Sequence, residues 1–325
     1  IARKLGAALG AGCGVIVKAP EDTPASPAEL IRCFCDAGIP AGAVSLVYGT
    51  PAEISEYLIA HPVVRKISFT GSTPVGKHLA ALAGGQMKPV TMELGGHGPV
   101  IVCRDADLDQ AAERVAAAKF RNAGQVCIAP TRFLLHKDIA AAFIEKFKAQ
   151  MSALKIGCGL DEGVTMGPLI NERRVKALTE LVADARAKGA QVWQPDTALP
   201  NTGFFFPPTL VLKPTLDMRV MQEEPFGPIA IMDEFSDLAD ALAEANRLPY
   251  GLAAYVYTRC ERTQRLLGEK LEAGMVAINH HGIGVPEVPF GGVKDSGYGT
   301  EGGPAALRAH TIIKLVSSLQ RPAEY

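Results

Sequence analysis

Cys127 is set apart from the other six cysteines by what precedes it: Asn122-Ala123-Gly124-Gln125-Val126-Cys127 follows a helix-like run. Small residues let the backbone come close to a substrate, so this thiol can act as a nucleophile toward an electrophilic carbon. Taken alone, the commoner reading is a buried inert thiol, and that reading goes to Cys13, Cys33, Cys35, Cys103, Cys158 and Cys260. Met92-Glu93-Leu94-Gly95-Gly96 ends an apolar run in a carboxylate before two glycines. At the carboxyl edge of an open α/β sheet, where ligands bind, such a glutamate can serve as a base; an exposed strand-end Glu is the plain alternative. His97 is a rival base by position, although a single His in a Gly-rich turn is more often structural.

Three further segments could hold anions or hydroxyls. Phe69-Thr70-Gly71-Ser72-Thr73-Pro74-Val75-Gly76-Lys77 lies between a strand pattern and a helix pattern. Gly71 allows a tight turn, Ser72 can donate to a phosphate, and the helix N-terminus behind them favours negative charge. Lys18 and Glu21, three apart at the end of the first strand pattern, could bind ribose hydroxyls. Glu223-Glu224-Pro225-Phe226-Gly227-Pro228 is a rigid turn that presents a carboxylate and an aromatic face. Gly297, Gly299 and Gly302 make a formal G-x-G-x-x-G, but no strand precedes it, so it reads as a flexible loop.

Composition narrows the classes. Hydrophobic residues are 48% of 325, enough for a sizeable core. Lys plus Arg is 33 against 34 Asp plus Glu, a net charge of −1, which offers no basic field for nucleic acid. No apolar stretch reaches the ~18 residues of a membrane span. Seven cysteines without a CxxC argue against a disulfide scaffold or a metal site and for a reducing, cytosol-like compartment.

The elements that must position these residues follow from periodicity. Helices are expected over 1–9, from Ser26-Pro27-Ala28-Glu29 to 37, from Thr50-Pro51-Ala52-Glu53 to 60, and over 73–82, 108–118, 139–154, 172–188, 237–245 and 261–271. Strands are expected over 14–17, 43–47, 66–69, 89–94, 229–232, 253–257, 275–278 and 311–316. This alternation implies an α/β fold with parallel sheets and crossover helices.

Taken together, segments 69–77, 93–96, 124–127, 224–228 and 289–302 resemble the aldehyde dehydrogenase superfamily, in one order and over the whole chain. The resemblance implies two parallel-sheet α/β domains: a partial Rossmann-like cofactor domain over 1–95 and a catalytic domain over 96–297, followed over 298–325 by a Gly-rich tail with an oligomerisation strand. It implies Cys127 as the nucleophile that, as a thiolate, forms a thiohemiacetal and then a thioester, with its own N–H as an oxyanion donor. Glu93 would activate the hydrolytic water. Lys18 and Glu21 would hold the adenosine ribose, Gly71, Ser72 and Val75 the pyrophosphate, and Glu224 the nicotinamide ribose, with Phe226 against the ring. Glu21 favours NAD over NADP, because a carboxylate repels a 2′-phosphate.

Within that family, Arg121 and Arg3 resemble the arginines that grip the carboxylate in succinate semialdehyde dehydrogenases; a planar guanidinium suits a two-point carboxylate contact. An ω-carboxylated semialdehyde is therefore the expected substrate, with an uncharged aldehyde as the alternative. The position two residues after Cys127 is Ala129, so a C-x-C redox switch is not expected; Gly282-Ile283-Gly284-Val285-Pro286 lacks the Ser common in that branch and is more similar to the bacterial ketoglutarate semialdehyde relatives, which leaves the substrate chain length open. The resemblance also implies a homodimer or homotetramer, and it places about 150 family residues before Ile1. A chain that truly began there would be expected to be impaired, or a non-catalytic remnant.

Overall fold

Helix and strand alternate from the first turn, and the computed structural model, which describes residues 1–319, divides them into two units. The first unit comprises Ile1–Ile54, Pro286–Pro289 and the segment from Thr300. It holds α1 (Ala2–Gly10), β1 (Val15–Lys18), α2 (Ala25–Asp36) and β2 (Val44–Val47), with β1 and β2 paired in parallel. Leu5, Val17 and Ile31 form its small core. α2 starts one residue before the expected capping box: Pro24 already has helical backbone angles, so Ser26 lies inside the first turn and caps nothing. α3 (Pro51–Ala60) then leads to Ser55, where the second unit starts.

The second unit carries the chemistry. Its order is β3 (Ile67–Thr70), α4 (Thr73–Gly85), β4 (Val90–Glu93), β5 (Gly98–Val102), α5 (Leu108–Phe120), β6 (Pro130–His136), α6 (Lys137–Ser152), α7 (Glu172–Ala187), β7 (Gln191–Trp193), β8 (Thr209–Leu212) and β9 (Ile229–Phe235). It continues with α8 (Leu238–Asn246), β10 (Tyr250–Gly251), β11 (Ala253–Tyr257), α9 (Glu261–Lys270), β12 (Met275–Ile278), β13 (Val293–Lys294) and β14 (Gly297–Tyr298). The main sheet runs β12-β11-β5-β6-β9-β8-β7, parallel throughout except for the antiparallel edge strand β7. The fold is thus α/β, as the alternation predicted. β5 and β6, which the periodicity left unassigned, are central strands. Every residue of β5 is buried, so it presents a continuous apolar run and not a period of two. Val100, Phe133, Phe143 and Phe147 lie in the core between this sheet and its helices.

A smaller sheet, β14-β4-β3, ends at Glu93. β3 and β4 are parallel; β14 pairs antiparallel with β4, Gly297 opposite Glu93. The Gly-rich stretch expected to be a flexible loop therefore begins as a strand. Glycine is required there by contact: with φ at +110°, a Cβ on Gly297 would lie 1.9 Å from the Met92 carbonyl oxygen. In the first unit, α10 (Gly303–Arg308) follows. Residues 311–319 carry no regular secondary structure, so the strand expected over 311–316 is not formed within this chain; a strand needs a neighbouring edge to bond to. The last six residues of the expected tail lie outside the described residues. Among the described residues no helix is long and apolar enough to cross a membrane.

Gly297→Ala is expected to destabilise the protein by roughly 2–4 kcal/mol, combining a disfavoured φ with backbone overlap at β4. Thermal unfolding followed by circular dichroism checks this, and an unchanged midpoint would contradict the packing described.

Candidate active site

Three backbone segments meet in the second unit because glycines let them. After α5 the chain makes a short 3-10 turn, Arg121–Gly124, in which Asn122 and Ala123 both take left-handed φ of 53°. Gly124 follows at φ +72°, and a Cβ there would stand 2.2 Å from the carbonyl oxygen of Gly227. The nucleophile loop is thereby pressed onto the 223–228 turn. A Cβ on Gly96 would lie 2.9 Å from the Cys127 carbonyl oxygen, and one on Gly95 would lie 2.4 Å from Oε2 of Glu224. Glu224 Oε1 accepts the Gly96 N–H at 3.1 Å. The ends of three separate elements are thus held at backbone-contact distance around Cys127, Glu93 and Glu224. The left-handed residues mark a site where local strain of order ~1–3 kcal/mol per residue is tolerated.

The electrostatics of the cluster follow from its burial. Glu93 is 3% exposed and Cys127 is half-buried. Burial, then the Glu224 and Glu93 carboxylates, push the Cys127 thiol up to about 11, against smaller help from the N–H groups of Cys127 and Ile128. A thiolate was expected from sequence; near neutral pH this thiol is instead protonated, because two like charges and desolvation oppose its ionisation. Glu224 is itself pushed up to about 7 by burial, opposed by the Gly96 N–H, Arg174 and Lys119. His97 is no base. It is buried, its Nε2–H donates to the Val220 carbonyl at 2.8 Å, its Nδ1 faces the Thr131 hydroxyl at 2.7 Å, and desolvation holds it neutral.

The remaining expected residues divide between the two units. Gly71, Ser72 and Val75 are exposed at the start of α4. Ser72 is the N-cap in an extended conformation, and its side chain makes no cap bond, so the first-turn N–H groups are not occupied by it. Together with the glycine turn, this fits a pyrophosphate. Phe226, half-buried with a left-handed φ of 42°, has the Arg174 guanidinium 5.8 Å from its ring centre. Arg121 is exposed on the 3-10 turn and lines a cavity of about 390 Å³ with Arg114, Val126, Ile128, Tyr255 and His280. Tyr255 donates its hydroxyl to the Ile128 carbonyl at 2.5 Å, which ties β11 to the nucleophile loop. Lys18 and Glu21 form an ion pair in the first unit, which lowers the Glu21 carboxyl, and Arg3 stands on α1 of that unit.

The thiol is half-buried, and the buried carboxylate that acts on it stands at the end of a parallel strand. Residues 1–316 match the aldehyde dehydrogenase family. The chain belongs to that family. This aldehyde dehydrogenase chain is 48% identical over 315 residues to 4-(hydroxymethyl)benzenesulfonate dehydrogenase TsaD1 of Comamonas testosteroni, covering 97% of itself and 65% of that relative. It is 43% identical to the NADP(+) succinate-semialdehyde dehydrogenase GabD of Escherichia coli, covering 97% and 66%. Its fold matches the crystal structure of succinate-semialdehyde dehydrogenase from Burkholderia pseudomallei with a TM-score of 0.94 at 43% identity, over 96% of this chain and 65% of that one. The chain therefore spans about two-thirds of the length of the relatives it matches.

Four residues that the sequence reading did not assign belong to this site: Lys119, Arg174, Tyr255 and His280. Only Lys119 left a trace in the sequence. It continues the Ala112, Val115, Ala116 spacing of the buried face of α5, where a lysine is out of place. The cysteine assignment also needs correcting: Cys33, Cys35, Cys158 and Cys260 are exposed, Cys13 is half-buried, and of the six only Cys103 is buried.

The charge arrangement sets how Cys127 reacts. Its alkylation by iodoacetamide, followed by peptide-resolved mass spectrometry, should be slow near pH 7 and climb without a plateau until about pH 10 or above. Glu93→Gln removes a like charge, so the profile should move to lower pH. A wild-type plateau near neutrality would show that the thiol is ionised after all.

Proposed function

We propose that this chain carries the nucleophile, the base and part of the cofactor seat of an NAD(P)-dependent aldehyde dehydrogenase whose substrate ends in an anion, an ω-carboxylated semialdehyde such as succinate semialdehyde. The observation that carries this reading is the convergence of Cys127, Glu93 and Glu224 through the Gly95, Gly96 and Gly124 contacts.

Cys127 Sγ attacks the aldehyde carbon as its proton leaves. Glu93, the nearby carboxylate, takes that proton, so that the pair holds one negative charge and not two. The oxygen of the former carbonyl becomes an alkoxide, which the Cys127 N–H would receive. NAD(P), when bound, would supply the acceptor for the hydrogen and two electrons of the C–H bond, and Cys127 would then hold the acyl group as a thioester. Glu93, once it has released that first proton to solvent, draws a proton from water, the water oxygen adds to the thioester carbon, the C–S bond breaks, and the proton on Glu93 passes to the departing sulfur as the acid leaves, which restores both thiol and carboxylate.

In this reading Gly71, Ser72 and Val75 meet the pyrophosphate, Glu224 accepts from the nicotinamide ribose diol with Phe226 beside the ring, and Lys18 and Glu21 serve the adenosine ribose. Glu21 favours NAD; its ion pair with Lys18 tempers the repulsion of a 2′-phosphate, so NADP is the second choice. The guanidinium groups of Arg121 and Arg114 in the cavity lining support an anionic substrate, as do the succinate semialdehyde and sulfonate in the names of the relatives. Arg3 keeps the carboxylate-binding role that the resemblance implies. The functional division remains a cofactor domain over 1–95, a catalytic domain over 96–297 and an assembly tail from 298. Exposed Ile312, Ile313, Leu315 and Val316 are apolar surface that a neighbouring subunit of a homodimer or homotetramer would cover. Cysteines without disulfide partners are consistent with a cytosolic location.

With succinate semialdehyde, the wild type should turn over continuously, and Glu93→Gln should lower steady turnover by roughly 10²-fold or more and slow the first turnover as well, because Gln can take a proton neither from the thiol nor from water. A Glu93→Gln variant with undiminished steady turnover would remove Glu93 from the hydrolytic step. Arg121→Ala should raise KM for succinate semialdehyde roughly ten-fold and leave KM for an uncharged aldehyde of equal length unchanged. Equal effects on both would favour the uncharged-aldehyde reading.

A further inference from the structure

Ser296 ends the Lys294-Asp295-Ser296 run before Gly297, Gly299 and Gly302, a stretch that the mechanism above does not use. It is fully buried. A buried hydroxyl is unfavourable unless it is bonded, and this one is bonded twice. Its Oγ accepts the Gly251 N–H at 2.9 Å and donates to the Gly95 carbonyl at 2.7 Å. Its backbone is anchored to the strand that ends in Glu93. The Leu94 N–H donates to the Ser296 carbonyl at 3.0 Å, and Gly297, next in the chain, lies opposite Glu93 in the β14–β4 register. There is little slack around it, since a Cβ on Gly292 would stand 2.7 Å from the Ser296 Cβ.

The Gly95 carbonyl and the Gly96 N–H belong to one planar peptide group, so fixing one end aims the other. That N–H donates to Oε1 of Glu224 at 3.1 Å. A continuous line of hydrogen bonds therefore runs from the Gly251 N–H, through the Ser296 hydroxyl and the 95–96 peptide, to the carboxylate. Its direction is set at the start: the Gly251 N–H occupies the acceptor side of the hydroxyl, whose single proton turns to Gly95. The peptide has glycine on both sides, and glycine tolerates the backbone angles that a peptide flip produces. Side-chain bulk is not there to oppose a flip, because Glu224 Oε2 and the Cys127 carbonyl fill the Cβ positions of Gly95 and Gly96. A half-turn would take the N–H away from Glu224 and set a carbonyl oxygen against it. The donor matters to that carboxylate. Burial raises the Glu224 carboxyl to about 7, and among the groups that oppose burial the Gly96 N–H acts more strongly than Arg174 or Lys119.

We propose that Ser296 is a positioning residue: its hydroxyl locks the Gly95–Gly96 peptide so that the Gly96 N–H faces Glu224 and holds that carboxylate in place for a dinucleotide ribose. The proposal rests on the reading of Glu224 as part of the cofactor seat. Without the hydroxyl, the Gly251 N–H and the Gly95 carbonyl are left buried and unpaired, and each gains by turning to a new partner. The peptide between two glycines is the part most able to turn. Glu224 then loses its backbone donor, and the bond lost is a charge-assisted one, stronger than a bond between neutral groups.

The test uses the full chain with Ser296→Ala, Ser296→Cys, Glu224→Gln and Glu224→Ala. Protein labelled only in glycine, with carbon-13 at the carbonyl and nitrogen-15 at the amide, gives a carbonyl–amide NMR spectrum restricted to the second residue of each Gly-Gly pair. Those residues are Gly85, Gly96, Gly292 and Gly303. Glu224→Gln should move the Gly96 signal in the wild type, which also assigns it. On top of Ser296→Ala the same change should leave the signals unmoved, because the peptide no longer faces residue 224. Ser296→Cys, whose thiol is a weaker donor of similar size, should give a reduced response, and it carries the test if Ser296→Ala does not fold. NAD and NADP binding are titrated calorimetrically. Ser296→Ala should weaken binding roughly five-fold in the wild type and less than about two-fold in Glu224→Ala. A Gly96 signal that responds to Glu224→Gln equally with and without the Ser296 hydroxyl overturns the proposal, even if stability or activity falls. An equal binding loss in both Glu224 backgrounds overturns it too. If the wild type binds neither dinucleotide, the cofactor reading fails instead, and the Gly96 signal still decides the role of Ser296.

Discussion

Close backbone contact among three loops is the constraint on which the rest of this chain depends. Gly95, Gly96 and Gly124 have no room for a side chain, because a carboxylate oxygen, the Cys127 carbonyl and the Gly227 carbonyl occupy that space. Such contact is affordable only for glycine, and it draws a thiol and two carboxylates into one poorly hydrated volume. The sheets exist, in functional terms, to deliver those loops: β4 ends on Glu93, α5 runs into the turn before Cys127, and the approach to β9 carries Glu224.

That compression has an electrostatic consequence. Burial and two neighbouring carboxylates raise the proton affinity of Cys127, so it rests as a thiol, and burial alone lifts Glu224 to about 7. The resting site is thus a store of protons as much as of nucleophile. For sulfur to act as a nucleophile its proton must first move, and Glu93, a carboxylate that acts on the thiol, is buried. His97, which by residue type looks like the natural proton carrier, is excluded because both ring nitrogens are committed to Thr131 and Val220.

A second consequence concerns anions. The helix N-terminus of α4 offers partial positive charge supplied by peptide groups, whereas Arg114 and Arg121 bring guanidinium groups to the lining of a cavity. The nucleophile loop, with Val126 and Ile128 on the cavity wall, lies beside the latter. The chain thus offers anions two kinds of donor: fixed backbone dipoles at α4 and flexible guanidinium groups at the cavity.

Most of the alternation of helices and strands, and the identity of Cys127, Glu93, Gly71, Ser72 and Glu224 as residues of interest, could be read from the sequence. Amphipathic periodicity and small-residue punctuation are local properties. Fully buried strands such as β5 left no period to detect, and β14 was mistaken for loop because its glycines report contact with β4, a partner some two hundred residues away. Neither the protonation of Cys127 nor the burial of Lys119 could be settled locally, since desolvation depends on what distant segments cover. Residue type and order were enough to say which chemistry was available; only packing decided where the protons sit, because the energy of a charge is set by everything around it and not by its place in the chain.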